Sequence, residues 1–281
     1  TRDDVLKTNA NIAYAAYADS LISAQDLRDA VAALVANPSE ATMMAAKQAW
    51  LAAREPYGQT EVYRFREGPI DALKEDGTLE DGEGPEGKIN AWPLGEAIID
   101  YVEAVVDGDS GPESPANTLA DNIIANVAEY PVINAETLTS TFEHGEDERN
   151  VTTGYHAIEF LLWGQDLNQD MSGAGARDAS GGQRPVSDYF TTPGTCTSGQ
   201  MAADEQICQR RGQYLMDAAE LLIEDLTPVV DAWAPGAGTH YQAFIAGGDA
   251  SLAKIFEGMG RLSFGELAGE RINIALTTDS Q

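Results

Sequence analysis

Apolar residues recur at steps of three and four along most of this chain, and that spacing admits helices and little else. Alanine fills many of the remaining positions, and no long alternation of β-branched residues supports a strand. The pattern predicts helices over residues 3–36, 40–66, 92–107 and 115–129 in the first half, and over 135–165, 205–233, 239–247 and 250–276 in the second. Between the first two, "NPSE" breaks the pattern and offers Ser39 as an N-cap. Pro56 kinks its helix or begins a new one. "EDGTLEDGEGPEGK" and "DGDSGPESP" read as acidic, glycine-bearing loops. The stretch from "NQDMSGAG" to "TPGTCTSG" is the longest irregular one.

The expected fold is therefore all-α, with helical hairpins running up and down in two four-helix-bundle-like domains. The break near "EYPVINAET" places the boundary between residues 1–134 and 135–281. "QAWLAAREPYGQTEVYRF" and "GMGRLSFGELAGERINIAL" both carry arginine and glutamate among apolar residues, a hint of duplicated bundles.

A net charge of −29 repels phosphate backbones, which argues against a nucleic-acid partner. It suits solubility in a salty or exported setting and concentrates cations at the surface. No apolar run approaches the ~20 residues of a membrane span, and no signal segment opens the sequence, as after removal of one. The two cysteines, Cys196 and Cys208, are too far apart for dithiol redox chemistry. Their polar, glycine-bearing spacer favours a local disulfide, hence an oxidising compartment, over two free thiols.

One helix carries chemistry. "TTGYHAIEFLLWGQD" (residues 152–166) is apolar almost all round, which predicts burial, yet His156 and Glu159 lie within it. At about 100° per residue they share an edge with Trp163. A buried carboxylate needs an ion pair, a proton or a metal. Imidazole and carboxylate three residues apart reach one ion, and zinc or iron suits that pair. Gly154 allows close approach of a ligand or backbone. The competing reading is a histidine bonded to a carbonyl and a glutamate paired with arginine. No His-Glu-x-x-His signature, nucleophile elbow or phosphate-binding glycine loop is present.

At "GYHAIEFLLWGQDL" the sequence resembles the imelysin-like family, within it the branch of iron-regulated protein A. The hallmark Gly-x-His-x-x-Glu falls on Gly154, His156 and Glu159. "REPYGQTEVYRF", "INAWPLGEAIIDYV", "RRGQYLMDAAELLIEDL" and "GMGRLSFGELAGERINIAL" resemble it too. The resemblance implies a two-domain helical fold and export to the periplasm or the outer membrane surface, with lipid anchoring through a segment outside this chain. It also implies a role in iron acquisition beside a cell-envelope uptake component. Members of that branch continue past "LTTDSQ" into an acidic, His-bearing stretch; either this chain is a fragment, with a further ligand beyond it, or the protein lacks that part.

Glu61 with Arg64, and Glu266 and Glu270 with Arg271, lie in the resembling segments. Glu61 and Glu270 are candidate further ligands; the competing reading is salt bridges with Arg54, Arg64, Arg261 or Arg271. Glu96 and Asp100 carry the same ambiguity. Tyr155 either offers its hydroxyl to the site or packs. His144 and His240 read as surface residues, and the four tryptophans as core. Three functions follow: an exported iron- or other divalent-metal-binding protein using His156 and Glu159 between two bundles, a zinc metallopeptidase, or a module for haem or chelated iron. A catalytic zinc requires three protein ligands and an open position.

Overall fold

In the computed structural model, the structure describes residues 1–74, 84–102, 122–165, 184–199, 201–273 and 276. Among these, helices dominate: α1 (Arg2–Ala36), α2 (Glu40–Gly58), α3 (Gly84–Asn90), α4 (Glu96–Ile99), α5 (Ala135–Thr141), α6 (Gly154–Trp163), α7 (Glu205–Trp233), α8 (Thr239–Ala246) and α9 (Asp249–Arg261). The all-α class expected from the spacing holds. A hairpin of two-residue strands, β1 (Thr197–Ser198) and β2 (Met201–Ala202), is the exception.

The longest helix shows why spacing is informative. In α1 the buried positions are Leu6, Ala10, Ala13, Tyr17, Ser20, Ala24, Leu27, Val31 and Leu34, alternating steps of four and three. That heptad-like seam keeps one stripe facing inward over the whole helix. At the next break, Ser39 Oγ accepts from the Thr42 amide, as an N-cap should. Pro56 lies inside α2, which ends two residues later, so the helix expected to reach residue 66 stops short.

Other expected helices are broken for local reasons. The one over 92–107 survives as α4, and its continuation from residue 103 lies outside the described residues. The one over 115–129 is outside them up to residue 121. Residues 122–129 form turns instead, because Asn122 and Asn126 side chains accept from the amides of Ala125 and Glu129 and compete with a helical ladder. Arg210 then caps this segment from α7, donating to the carbonyls of Ile123, Ile124 and Tyr130. The expected 135–165 helix splits into α5 and α6. Left-handed backbone at Glu143 and Gly145 ends the first part, and Asn150 folds the charged loop back by donating to the His144 carbonyl. After α9 the chain winds on as a π-helix, Leu262–Asn273.

The chain divides into two compact units: unit 1 holds Thr1–Ser23, Ala52–Lys88 and Ile223–Gln281, and unit 2 holds Ala24–Leu51 and Ile89–Leu222. This division does not follow a single cut near residue 134. The reason lies in helix length: α1 alone has 35 residues, about 52 Å at 1.5 Å per residue, and it supplies residues to both units.

Unit 2 is organised around buried charge. Asp100 accepts from Arg211 Nε at 2.6 Å and Nη2 at 3.0 Å, and from Arg184 Nη1 at 2.7 Å. Arg184 also reaches Asp188 at 3.1 Å, and Tyr101 donates to Asp188 at 2.7 Å. The same Arg211 holds the β-hairpin through Ser198 Oγ, 2.8 Å away. A disulfide joins Cys196 to Cys208 and ties that hairpin to α7, as the cysteine spacing favoured.

Candidate metal centre

The helix carrying the hallmark begins with a glycine requirement. Gly154 opens α6 at φ 80°, where a side chain would be strained. Inward-facing Tyr155, Ile158, Leu161 and Leu162 are wholly buried, and Trp50 Nε1 donates to the Tyr155 carbonyl at 2.8 Å. Tyr155 is therefore packed inside the unit.

The remaining edge of α6 is not sealed. His156, Glu159 and Trp163 are its half-buried residues, and the Glu159 side chain is 41% exposed. Full burial of the pair was the sequence expectation, and it fails because positions i, i+3 and i+7 form a strip about 60° wide that reaches solvent. His156 Nδ1 and Glu159 Oε2 stand 3.1 Å apart.

Aromatic rings frame this strip. Trp92, expected in the core, is instead 61% exposed and lies 5.0 Å from the His156 ring. Trp50 meets Trp163 edge-on at 5.4 Å, and the Lys47 ammonium sits 5.3 Å from the Trp163 ring. Burial, and then the Arg184 charge, push the Lys47 pKa down. Trp163 was expected to line a cleft in the haem or chelated-iron reading, whereas Trp92 was not expected at the site; its one sequence signal is adjacency, since it precedes the "PLGEAIIDY" segment.

The other sequence candidates are placed as follows. Glu96 is the first residue of α4, which packs against α6. Asp100 is the buried partner of Arg184 and Arg211, so its ion-pair reading is the correct one. Glu61, Arg64, Glu266, Glu270 and Arg271 belong to unit 1, whereas His156 and Glu159 belong to unit 2. Arg271 Nη2 lies 2.5 Å from Glu61 Oε1 and 4.0 Å from Glu266, and Arg64 pairs with Glu86 at 3.0 Å. Glu61 is thus engaged as a salt bridge, and Glu270 is exposed. Among the described residues, no cluster of three or more His, Cys, Asp or Glu side chains with metal-binding geometry forms. His144 is exposed as expected. His240 is half-buried rather than a free surface residue, 4.4 Å from the Trp233 ring and 6.1 Å from Phe244.

A helical protein with a glycine-initiated helix presenting histidine and glutamate on one open strip is the class these features define. Residues 13–281 match the family described as Imelysin, and the chain belongs to that family. No curated protein matches the sequence. No helix among the described residues is long and apolar enough to cross a membrane.

Proposed function

We propose that the protein binds a divalent metal, iron in the first instance, through His156 and Glu159, as cargo in an exported iron-acquisition system. The observation that carries this is the 3.1 Å separation of His156 Nδ1 and Glu159 Oε2 on a solvent-reaching strip. Two ligand atoms each about 2.1 Å from one ion, at ordinary coordination angles, stand about 3.0–3.4 Å apart. The side chains therefore need little movement to share a metal. The disulfide fits an oxidising compartment such as the periplasm or outer cell surface.

The zinc-peptidase reading is the weaker one. A catalytic zinc takes three protein ligands plus water, and two gather among the described residues. A two-ligand site leaves positions open for solvent or a chelator on the metal, which suits an ion that is taken up and passed on. Exposed Trp92 beside His156 offers a ring face to such a chelator.

Calorimetry with ferrous iron and zinc tests the reading. His156→Ala and Glu159→Ala should each weaken binding at least about tenfold, one lost ligand being worth no less than a lost supporting contact. Unchanged affinity in both variants sinks it. Cleavage of a peptide library by metal-loaded protein, abolished in the same variants, would favour the peptidase.

A further inference from the structure

Unit 1 holds a buried cation with no carboxylate in contact with it among the described residues. Arg66 is 4% exposed. One of its terminal nitrogens, Nη2, donates to Asn9 Oδ1 at 2.8 Å, while Nη1 has no hydrogen-bond partner. No carboxylate among the described residues lies within ion-pair distance of it. Asp71, the acid folded against the same loop, directs its oxygens to the backbone amides of Phe65, Arg66 and Gly68 at 2.8, 3.0 and 2.8 Å.

The backbone is bent to put the guanidinium there. Phe65 and Glu67, on either side of Arg66, have φ of 59° and 58°, left-handed values that bulky or charged residues rarely adopt. Such strain concentrates where a side chain must be aimed for function. The arginine stem is walled in as well: a Cβ on Gly258 would meet Arg66 Cδ at 2.7 Å and the Val62 carbonyl oxygen at 2.6 Å.

A further unpartnered donor lies beside the same aromatic cluster. Arg66 Cζ is 5.0 Å from the centre of Tyr63, and the Tyr17 and Trp233 rings are 6.1 and 6.2 Å from it. Tyr17 is wholly buried and Trp233 nearly so; the Tyr17 hydroxyl is turned to Thr60, while Trp233 Nε1 has no hydrogen-bond partner among the described residues. An indole N–H and a guanidinium only donate. Phe244 lies between them, 5.3 Å from Arg66 Cζ and 5.6 Å from Trp233. Burial and the Arg66 charge pull the His240 pKa down to about 4, so this neighbour adds no second cation.

We infer that this cluster is a binding site for a small inorganic anion of halide size, held by Arg66 Nη1 with Trp233 Nε1 as the neighbouring donor. A buried charge requires compensation, and a buried donor without a partner points to an ion or water at that place. Water would satisfy donors but add no charge against the guanidinium, which Asp71 offsets only at a distance. An anion does both, and enclosure by aromatic rings limits its size. The surface of a chain with net charge −29 repels anions, so the affinity must come from this enclosed cluster.

The test is a bromide soak of crystals of the full chain, with melting curves in sodium bromide and sodium gluconate at equal ionic strength. An anomalous peak within hydrogen-bonding distance of Arg66 Nη1 is expected, with a saturable rise in melting temperature in bromide alone. Arg66→Gln should weaken the apparent affinity at least about tenfold, and Trp233→Phe several-fold. Should Arg66→Gln fail to fold, Trp233→Phe and the wild-type map decide. No peak, equal curves in the two salts, or a peak without saturable stabilisation each overturns the inference. His156→Ala should leave the bromide response intact, which separates this site from the metal site.

Discussion

Arg211 and Asp100 meet through two parallel hydrogen bonds, Nε to Oδ2 at 2.6 Å and Nη2 to Oδ1 at 3.0 Å, with both side chains closed to solvent. Burial alone would raise the Asp100 pKa. The Arg211 and Arg184 charges outweigh it and hold the carboxyl below its ordinary value. The pair therefore depends on both partners being present and charged.

Asp100→Ala removes the shared anion and leaves Arg184 and Arg211 buried without it. The expected loss is about 3–5 kcal/mol, the range for breaking a buried pair from one side. Urea unfolding followed by circular dichroism measures it. A loss under about 1 kcal/mol would mean that Asp188 alone satisfies both arginines.

Reducing the Cys196–Cys208 disulfide should cost about 2–3 kcal/mol, from the loop entropy restored to the unfolded chain across a separation of 12 residues. Melting with and without dithiothreitol checks this. The Cys196→Ser, Cys208→Ser double variant should melt at the lower temperature in both conditions.

His240 makes stability depend on pH in a defined window. Its folded pKa, about 4, lies below the ordinary value of 6.5. The unfolded chain therefore binds the proton more readily, and stability falls as pH drops from about 6.5 to about 4, by on the order of 2–3 kcal/mol. Asp100 shifts in the same direction but acts lower, below its ordinary carboxyl value. Urea midpoints between pH 7.5 and 4.5 should decline in the wild type and flatten in His240→Phe. Parallel profiles would show that His240 does not set the slope.

Gly154→Ala places a side chain at φ 80° where α6 begins. The left-handed conformation should cost about 1–2 kcal/mol. If α6 relieves that strain by turning, His156 leaves its position beside Trp92, and metal affinity falls along with stability. Calorimetry on the folded variant distinguishes a stability defect from a displaced ligand.

Helix spacing made α1, α7 and α8 legible almost to the residue, because each buries a stripe set by local periodicity. The split of 135–165 was hidden. Its cause is side-chain competition for backbone groups around Glu143 to Asn150, which apolar spacing does not register. At the candidate site, the hallmark picked out Gly154, His156 and Glu159, while the solvent-reaching strip depended on which α6 neighbours stop short. Asp100 was visible as a lone acid in "AIIDYV", but its partners lie 84 and 111 residues away. Arg66 gave no periodic signal, because its burial comes from two left-handed neighbours and not from a helix face.

The interleaving of the two units also governs how the protein can be cut and joined. The chain crosses between them at 23/24, 51/52, 88/89 and 222/223, each time inside a helix. Both chain ends belong to unit 1, so a tag or fusion at either end is attached to the same unit. A fragment stopping at residue 134 holds neither unit whole. Isolating the unit that carries Gly154, His156 and Glu159 takes a redesigned connectivity, with residue 51 bridged to residue 89 by a new linker, and not a simple truncation.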